Sequence, residues 1–317
     1  MLAQDFEHCY ATVNGVRYHY VNEGHGSTVV LLLHGFPDFW YGWRHQIKFL
    51  GAHGYRVIAP DLRGYGQTDG ADTLAAYSMR SVGSDMMLLL TQLGIKRAVV
   101  IGHDWGGMLA WRIAMHFPHR VVAVGSLCTP YTPPDPIYHS LEDTVKQAPN
   151  LAYQVYLASE QAVADLDAKP ESFLHMVLRR WNEAVDISKA DKWHQRGTQV
   201  PVSQLLTPEE RDYYVSTFRN SGFRGPLSWY RMRKINYEED QGLPSRIELP
   251  ALMITAEHDT ALPPSMAAKM PQFFSNLTME AAKDCGHWLM VEQTEQVNAF
   301  LLSFLQKTAP AILPTKM

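Results

Sequence analysis

The sequence predicts an α/β protein: a mostly parallel sheet with helices on both faces, interrupted by a largely helical insertion. Three features lead there. Short apolar runs alternate with helical stretches up to about residue 130. Strand signals fade between Thr129 and Leu249 and resume at Ala251. A glycine-flanked acid, Asp104, sits where one apolar run gives way to a helix. With 317 residues, 46% hydrophobic and 19% charged, the chain can bury a large core, which argues against disorder.

Taken in order, Asn14-Gly15 within Val13–Tyr20 is a turn signal between alternating apolar positions. Ser27–Leu33, Tyr55–Pro60, Arg97–Ile101 and Val121–Leu127 read as buried strands, because a parallel strand covered on both faces needs near-continuous apolar character. Helical stretches are expected near Ser78–Leu93 and Trp105–His116. The segment YTPPDPIY, residues 131–138, cannot continue a helix. Beyond it lie mixed, aromatic-rich stretches with Trp181, Trp193, Tyr213, Tyr214, Trp229 and Tyr230, read as a mostly helical insertion. Strands return at Ala251–Thr255 and Leu277–Ala281, followed by a helix from about Thr294 to Gln306.

Composition narrows the function classes. The 28 basic and 32 acidic residues leave a net charge of −4, so no basic surface points to nucleic acid. Cys9, Cys128 and Cys285 form no C-x-x-C pair, which favours reduced thiols and a cytoplasmic setting. No apolar signal region follows Met1, and the longest apolar runs, such as Val29–Leu33, fall far short of the ~18 residues a membrane span needs. No H-x-x-H pair or zinc-like Cys/His cluster calls for a metal, and no cofactor is expected.

The most informative segment is RAVVIGHDWGGMLAWRIAMHFP, residues 97–118. Small-x-nucleophile-x-small at a strand-to-helix corner exposes the central side chain at the edge of a sheet. Here that side chain is Asp104, whose carboxylate could attack an electrophilic carbon and form an ester. Asp is also a common helix N-cap, but the flanking glycines favour the nucleophile. His34-Gly35-Phe36-Pro37 ends an earlier strand and suits an oxyanion loop, with the backbone N–H groups of Phe36 and Trp105 as donors. To turn the Phe36 N–H inward, the Phe36–Pro37 bond is expected to be cis. Asp259, in ALMITAEHDTALPP, and His287, after Asp284-Cys285-Gly286, complete the order nucleophile, acid, histidine. Glu257 and then Asp284 are rivals for the acid, and His287 is read as opening a helix.

HGFPDFWYGWRHQ, PDLRGYGQTDG, IGHDWGGMLAW, GFRGPLSWYR, PALMITAEHD and DCGHW together resemble the soluble epoxide hydrolases over roughly residues 5–306. The chain is similar to the C-terminal hydrolase domain of the mammalian enzyme and to its stand-alone microbial and plant relatives. The resemblance implies the α/β-hydrolase fold: a mostly parallel eight-stranded sheet flanked by helices, with core at 1–130 and 247–317 and an inserted helical cap at 131–246. It implies Asp104 as nucleophile, His287 as base and Asp259 as orienting acid. It also implies two cap tyrosines: Tyr153, which opens Tyr153-Gln154-Val155-Tyr156, and Tyr230, which ends GPLSWY. With 15 tyrosines in the chain, spacing alone could not select them. Tyr156, Tyr213 and Tyr214 are read as packing residues. Phe36, Trp105, Tyr153, Tyr230 and Trp288 are expected to bind substrate. The mammalian enzyme's N-terminal phosphatase domain has no counterpart here, so phosphatase activity is expected to be absent. Thr315-Lys316-Met317 faintly resembles a peroxisomal tripeptide.

The implied reaction is addition of water to a lipophilic epoxide. Two neutral phenols donate to the epoxide oxygen while Asp104 forms an ester; water activated by His287 then cleaves it. The partners expected are that small epoxide and water, in a monomer or homodimer. A haloalkane dehalogenase would share Asp104 and His287 but would need halide-binding N–H donors, which Trp105 could supply, instead of phenols. A non-catalytic lipophilic binding module is the third reading; the presence of every catalytic group argues against it.

Overall fold

The computed structural model describes residues 1–183 and 187–309. Strands β1 (His8–Val13) and β2 (Val16–Glu23) form an antiparallel hairpin. Asn14 and Gly15 turn it at φ of 51° and 77°, the positive values a two-residue hairpin loop needs. Strands β3 (Val29–Leu33), β4 (Arg56–Pro60), β5 (Ala98–His103), β6 (Val121–Leu127), β7 (Ala251–Ala256) and β8 (Leu277–Ala282) complete a sheet of order β1-β2-β4-β3-β5-β6-β7-β8. From β4 onward every pairing is parallel. Every residue of β3, β5 and β7 is buried, hence their unbroken apolar sequences. The edge strand β8 alternates in exposure and carries Glu280.

Helices α1 (Arg44–Ala52), α2 (Met79–Gln92) and α3 (Trp105–His116) cover the first half of the sheet. Between β6 and β7 lie α4 (Leu141–Gln147), α5 (Tyr153–Leu157), α6 (Glu160–Ala168), α7 (Pro170–Val177), α8 (Trp193–Arg196), α9 (Pro208–Ser221), α10 (Arg224–Ser228) and α11 (Arg233–Glu239). Their starts are written locally. Ser159 caps α6 by accepting the Ala162 N–H at 3.1 Å, and Thr207 with Glu210 forms a capping box on α9. Helices α12 (Leu289–Glu292) and α13 (Thr294–Thr308) follow β8. The sequence placed a helix start at His287; instead α12 begins at Leu289. The Gly286 N–H donates to the Glu292 carboxylate at 2.9 Å, which holds Gly286-His287 as a turn.

Buried polar contacts fasten the inserted helices to the sheet domain. Arg44 pairs with Glu210 at 2.8 Å, Arg112 with Asp240 at 2.6 Å, and the Tyr214 hydroxyl donates to Asp38 at 2.7 Å. The Trp288 indole donates to the Val177 carbonyl at 2.8 Å. Gly64 and Gly225 touch backbone to backbone: a Cβ on Gly225 would lie 2.7 Å from the Gly64 Cα. Among the described residues no helix is long and apolar enough to cross a membrane. The Thr315-Lys316-Met317 tripeptide lies outside the described residues.

Candidate active site

Asp104 occupies the corner between β5 and α3 with φ 53° and ψ −122°. A non-glycine residue held there stores roughly 1–3 kcal/mol of strain, sustained only by firm surroundings. Those surroundings are explicit. A Cβ on Gly102 would strike the Gly106 carbonyl, one on Gly106 the Leu33 carbonyl, and one on Gly35 Asp104 itself. The Thr129 hydroxyl donates to the Asp104 carbonyl at 2.7 Å. The glycines of the motif are therefore there for close approach as much as for turning.

One Asp104 carboxylate oxygen accepts the Phe36 N–H at 2.8 Å. The Phe36–Pro37 peptide is cis. Burial raises the Asp104 pKa; His287 and the N–H groups of Phe36 and Trp105 oppose that rise. The other carboxylate oxygen lies 3.7 Å from His287 Nε2.

His287 Nδ1 is 2.8 Å from Asp259, whose other oxygen accepts the N–H groups of Ala261 and Leu262 at 2.9 Å each. Burial alone would raise Asp259, yet the His287 charge and hydrogen bond and the Leu262 N–H hold it at about 2. Burial likewise works against a charged imidazole, but Asp259, by charge and hydrogen bond, and Asp104 raise His287 to about 9. Glu257, the rival acid, is exposed and engages Lys283 and the Asp284 N–H. Asp284 is exposed as well.

Two supports escaped the sequence reading. His103 donates from Nε2 to the His287 carbonyl at 2.8 Å; burial, with the His287 charge adding, lowers its pKa to about 3, so the ring is neutral. Cys128, at φ 64°, places its thiol against Asp259 and 3.7 Å from the same carbonyl. His103 stands beside Asp104 in the motif, which was its only signal; Cys128 had none. His103, Cys128 and His287 bring three metal-ligand atoms within 4.8 Å, but Nε2 of His103 and Nδ1 of His287 already serve hydrogen bonds.

Tyr153 begins α5, and Tyr230 sits in the turn Trp229–Arg231 between α10 and α11. Both line the cavities that open onto Asp104. Burial lifts the Tyr153 phenol above its ordinary value, with the Asp104 charge adding; burial, Tyr153 and Asp104 do the same for Tyr230. Both therefore stay protonated at neutral pH and able to donate. The Tyr230 ring stands perpendicular to Trp105 at 5.0 Å and to Phe36 at 5.4 Å. The other tyrosines are engaged elsewhere: Tyr156 donates to Asp165 at 2.9 Å, Tyr214 to Asp38, and Tyr213 packs on Tyr41.

Two cavities meet here, of about 120 Å³ and about 490 Å³. Asp104, Tyr153 and Tyr230 line both. Phe36, His287 and Trp288 belong to the smaller; Trp105 and Met108 belong to the larger.

An eight-stranded, mostly parallel sheet with a nucleophile corner after β5 and a histidine after β8 defines an α/β-hydrolase, here with aspartate at the nucleophile position. The profile of the alpha/beta hydrolase fold family matches residues 28–294. The chain is 37% identical to bifunctional epoxide hydrolase 2 of Mus musculus, over 95% of this chain and 56% of that protein. It is 32% identical to an epoxide hydrolase of Neurospora crassa, over 95% of both chains. The chain belongs to the epoxide hydrolase family of this fold. Epoxide hydrolase A from Mycobacterium thermoresistibile superposes with a TM-score of 0.84 at 30% identity, over 97% of this chain and 99% of that one. The chain spans about half the length of the mammalian relatives it matches.

Proposed function

We propose that this protein adds water to lipophilic epoxides, giving vicinal diols through an ester of Asp104. One observation carries the reading: a buried carboxylate held by an inward N–H group shares its cavities with two protonated phenols and lies beside a histidine. Tyr153 and Tyr230 donate to the epoxide oxygen, offsetting the charge that develops as the C–O bond breaks. Asp104 attacks the carbon. His287, oriented by Asp259, takes a proton from water, and the hydroxide attacks the ester carbonyl. The oxyanion is held by the N–H groups of Phe36 and Trp105. Phe36, Trp105 and Trp288 bound the pocket, and residues 131–246 act as the cap. No metal or cofactor enters any step.

The fate of oxygen tests the mechanism. A single turnover in ¹⁸O-water should give unlabelled diol, with label entering Asp104. His287→Gln should accumulate a protein adduct of the whole epoxide on the peptide containing Asp104. Labelled diol in the first turnover together with no adduct would mean that Asp104 activates water directly. Halide release from haloalkanes without epoxide turnover would instead make the protein a dehalogenase.

Cys9, Cys128 and Cys285 are all free, which suits a reducing compartment; we place the protein in the cytoplasm, as a monomer or homodimer.

A further inference from the structure

His287 lies in neither a helix nor a strand, so its place depends on what grips the turn Cys285-Gly286-His287-Trp288. Glu292, the last residue of α12, grips that turn with one carboxylate oxygen, which accepts the Gly286 N–H at 2.9 Å. Its other oxygen accepts the Trp181 N–H, also at 2.9 Å, and Trp181 belongs to the inserted segment just after α7. Each oxygen thus holds a backbone donor from a different part of the chain, and bonds to a charged acceptor are the stronger kind. Burial raises the Glu292 pKa; the two N–H groups, Arg180 and His287 oppose that rise.

The inserted segment meets the histidine turn at other points too. Gly286 lies close against Trp181: a Cβ there would come 2.9 Å from the Trp181 Cβ. The Trp181 ring stacks on His258 at 4.0 Å and 18°, and His258 directly precedes Asp259. The Trp288 indole reaches the Val177 carbonyl at 2.8 Å. Val177, Trp181 and His287 line the smaller cavity, whereas Glu292 lines neither cavity. Asp104 is held by a separate set of contacts: the Phe36 N–H, the Thr129 hydroxyl and the surrounding glycines. The inserted segment therefore bears on the histidine and the orienting acid through bonds that the nucleophile does not share.

We infer that Glu292 is a positioning residue for His287: it ties the histidine turn to the inserted segment, and it serves hydrolysis of the Asp104 ester rather than its formation. This rests on the epoxide hydrolase reading and deepens it. Glu292 acts through the Gly286 N–H, which sets where the imidazole sits. It acts also through its charge, which joins those of Asp259 and Asp104 in favouring the imidazolium. The remaining groups close to His287 carry no charge: His103 on β5, the Cys128 thiol after β6, and the phenols of Tyr153 and Tyr230, which share its cavity. Arg179, Arg180 and His258 line that cavity as well.

The test times the two steps separately, in single turnovers of styrene oxide with enzyme in saturating excess, rapid quench and mass spectrometry of the peptide containing Asp104. Glu292→Gln keeps the shape but turns an amide NH2 toward one of the two N–H groups. At alkaline pH, where His287 is neutral, ester hydrolysis should slow by about tenfold or more while ester formation changes by less than about twofold. The pH midpoint of hydrolysis should also move down, because a negative charge near His287 is gone. Glu292→Asp keeps the charge but is too short to span both donors, so it should slow hydrolysis and leave the midpoint in place. First-order rate constants do not depend on the folded fraction, so a loss of stability cancels. Equal slowing of both steps, hydrolysis at the wild-type rate, or an unmoved midpoint in Glu292→Gln would each overturn the assignment and leave the hydrolase intact. No adduct in any variant, together with no diol from wild type, would bring down the underlying reading instead.

Discussion

Strand β5 delivers Asp104, the proposed nucleophile, through six residues, all buried; α5 delivers Tyr153 through five residues, of which Leu157 alone is buried. The two regions aim side chains at one cavity by different means. Around β5, backbone ladders and glycine contacts leave Asp104 no room to move. Most helices above are short, and the longest, α9, is pinned to the sheet domain by Arg44–Glu210 and Tyr214–Asp38. The proposed nucleophile thus sits on continuous packing. The proposed phenol donors sit on shorter elements that join the core through side-chain packing and a few polar bonds.

That contrast can be broken at graded points. The largest effect should come from Asp104→Asn, which keeps shape, accepts the Phe36 N–H and tolerates the positive φ. Diol formation should fall by at least about 10⁴-fold with the melting temperature unchanged or raised, since a buried charge is gone. Substantial residual turnover would show that the sheet edge is not the source of the nucleophile. Next, changing Tyr153 and Tyr230 together to Phe should slow epoxide opening by about 10⁴-fold, and each single change by about 10²-fold, because one phenol still donates. A single change as damaging as the pair would mean the two phenols cannot substitute for one another.

A smaller effect should appear in the pH profile. His287 stands near 9 because Asp259 and Asp104 outweigh burial. Esterification removes the Asp104 charge, so the value falls in the intermediate. Only neutral His287 can take a proton. Ester hydrolysis, followed by rapid quench and mass spectrometry, should therefore speed up with rising pH to a midpoint below 9, with adduct building up at lower pH. A midpoint at or above 9 would show that Asp104 does not act on the histidine. The smallest change should come from Glu210→Gln. Arg44 stays buried without its charge partner, costing about 2 kcal/mol in denaturant unfolding. No loss of stability would mean that this pin does not hold the inserted helices.

The same division governs what could be read from the sequence. Val121–Leu127 is a strand with the expected bounds, and β3, β4, β5 and β7 differ from expectation by one or two residues, because burial leaves a continuous apolar signature; β8 differs by one, whereas the hairpin of β1 and β2 showed only its Asn14-Gly15 turn. Helix α1 went unseen: its buried set includes Arg44 and Gln46, which blur an apolar stripe. In the insertion, helices of four to nine residues beside one of fourteen carry too few turns for periodicity to show. Asp104 and His287 were legible because glycines punctuate their turns. Tyr153 and Tyr230 came from family resemblance. Nothing local separates them from Tyr156 or Tyr214, whose hydroxyls are taken up by acids that lie far off in the chain or across a helix boundary.

The contact between Gly64 and Gly225 has a meaning for tolerance in the engineer's sense. Gly225 lies five residues before Tyr230, and Trp229 reaches back to the Arg63 carbonyl at 3.4 Å. Two α-carbons without side chains thus act as a spacer between the inserted helices and the sheet domain, a few residues from Tyr230. A single methyl group there is a shim of about one bond length. The position of the turn that carries Tyr230 is thus gauged, away from Asp104, by the smallest side chain there is.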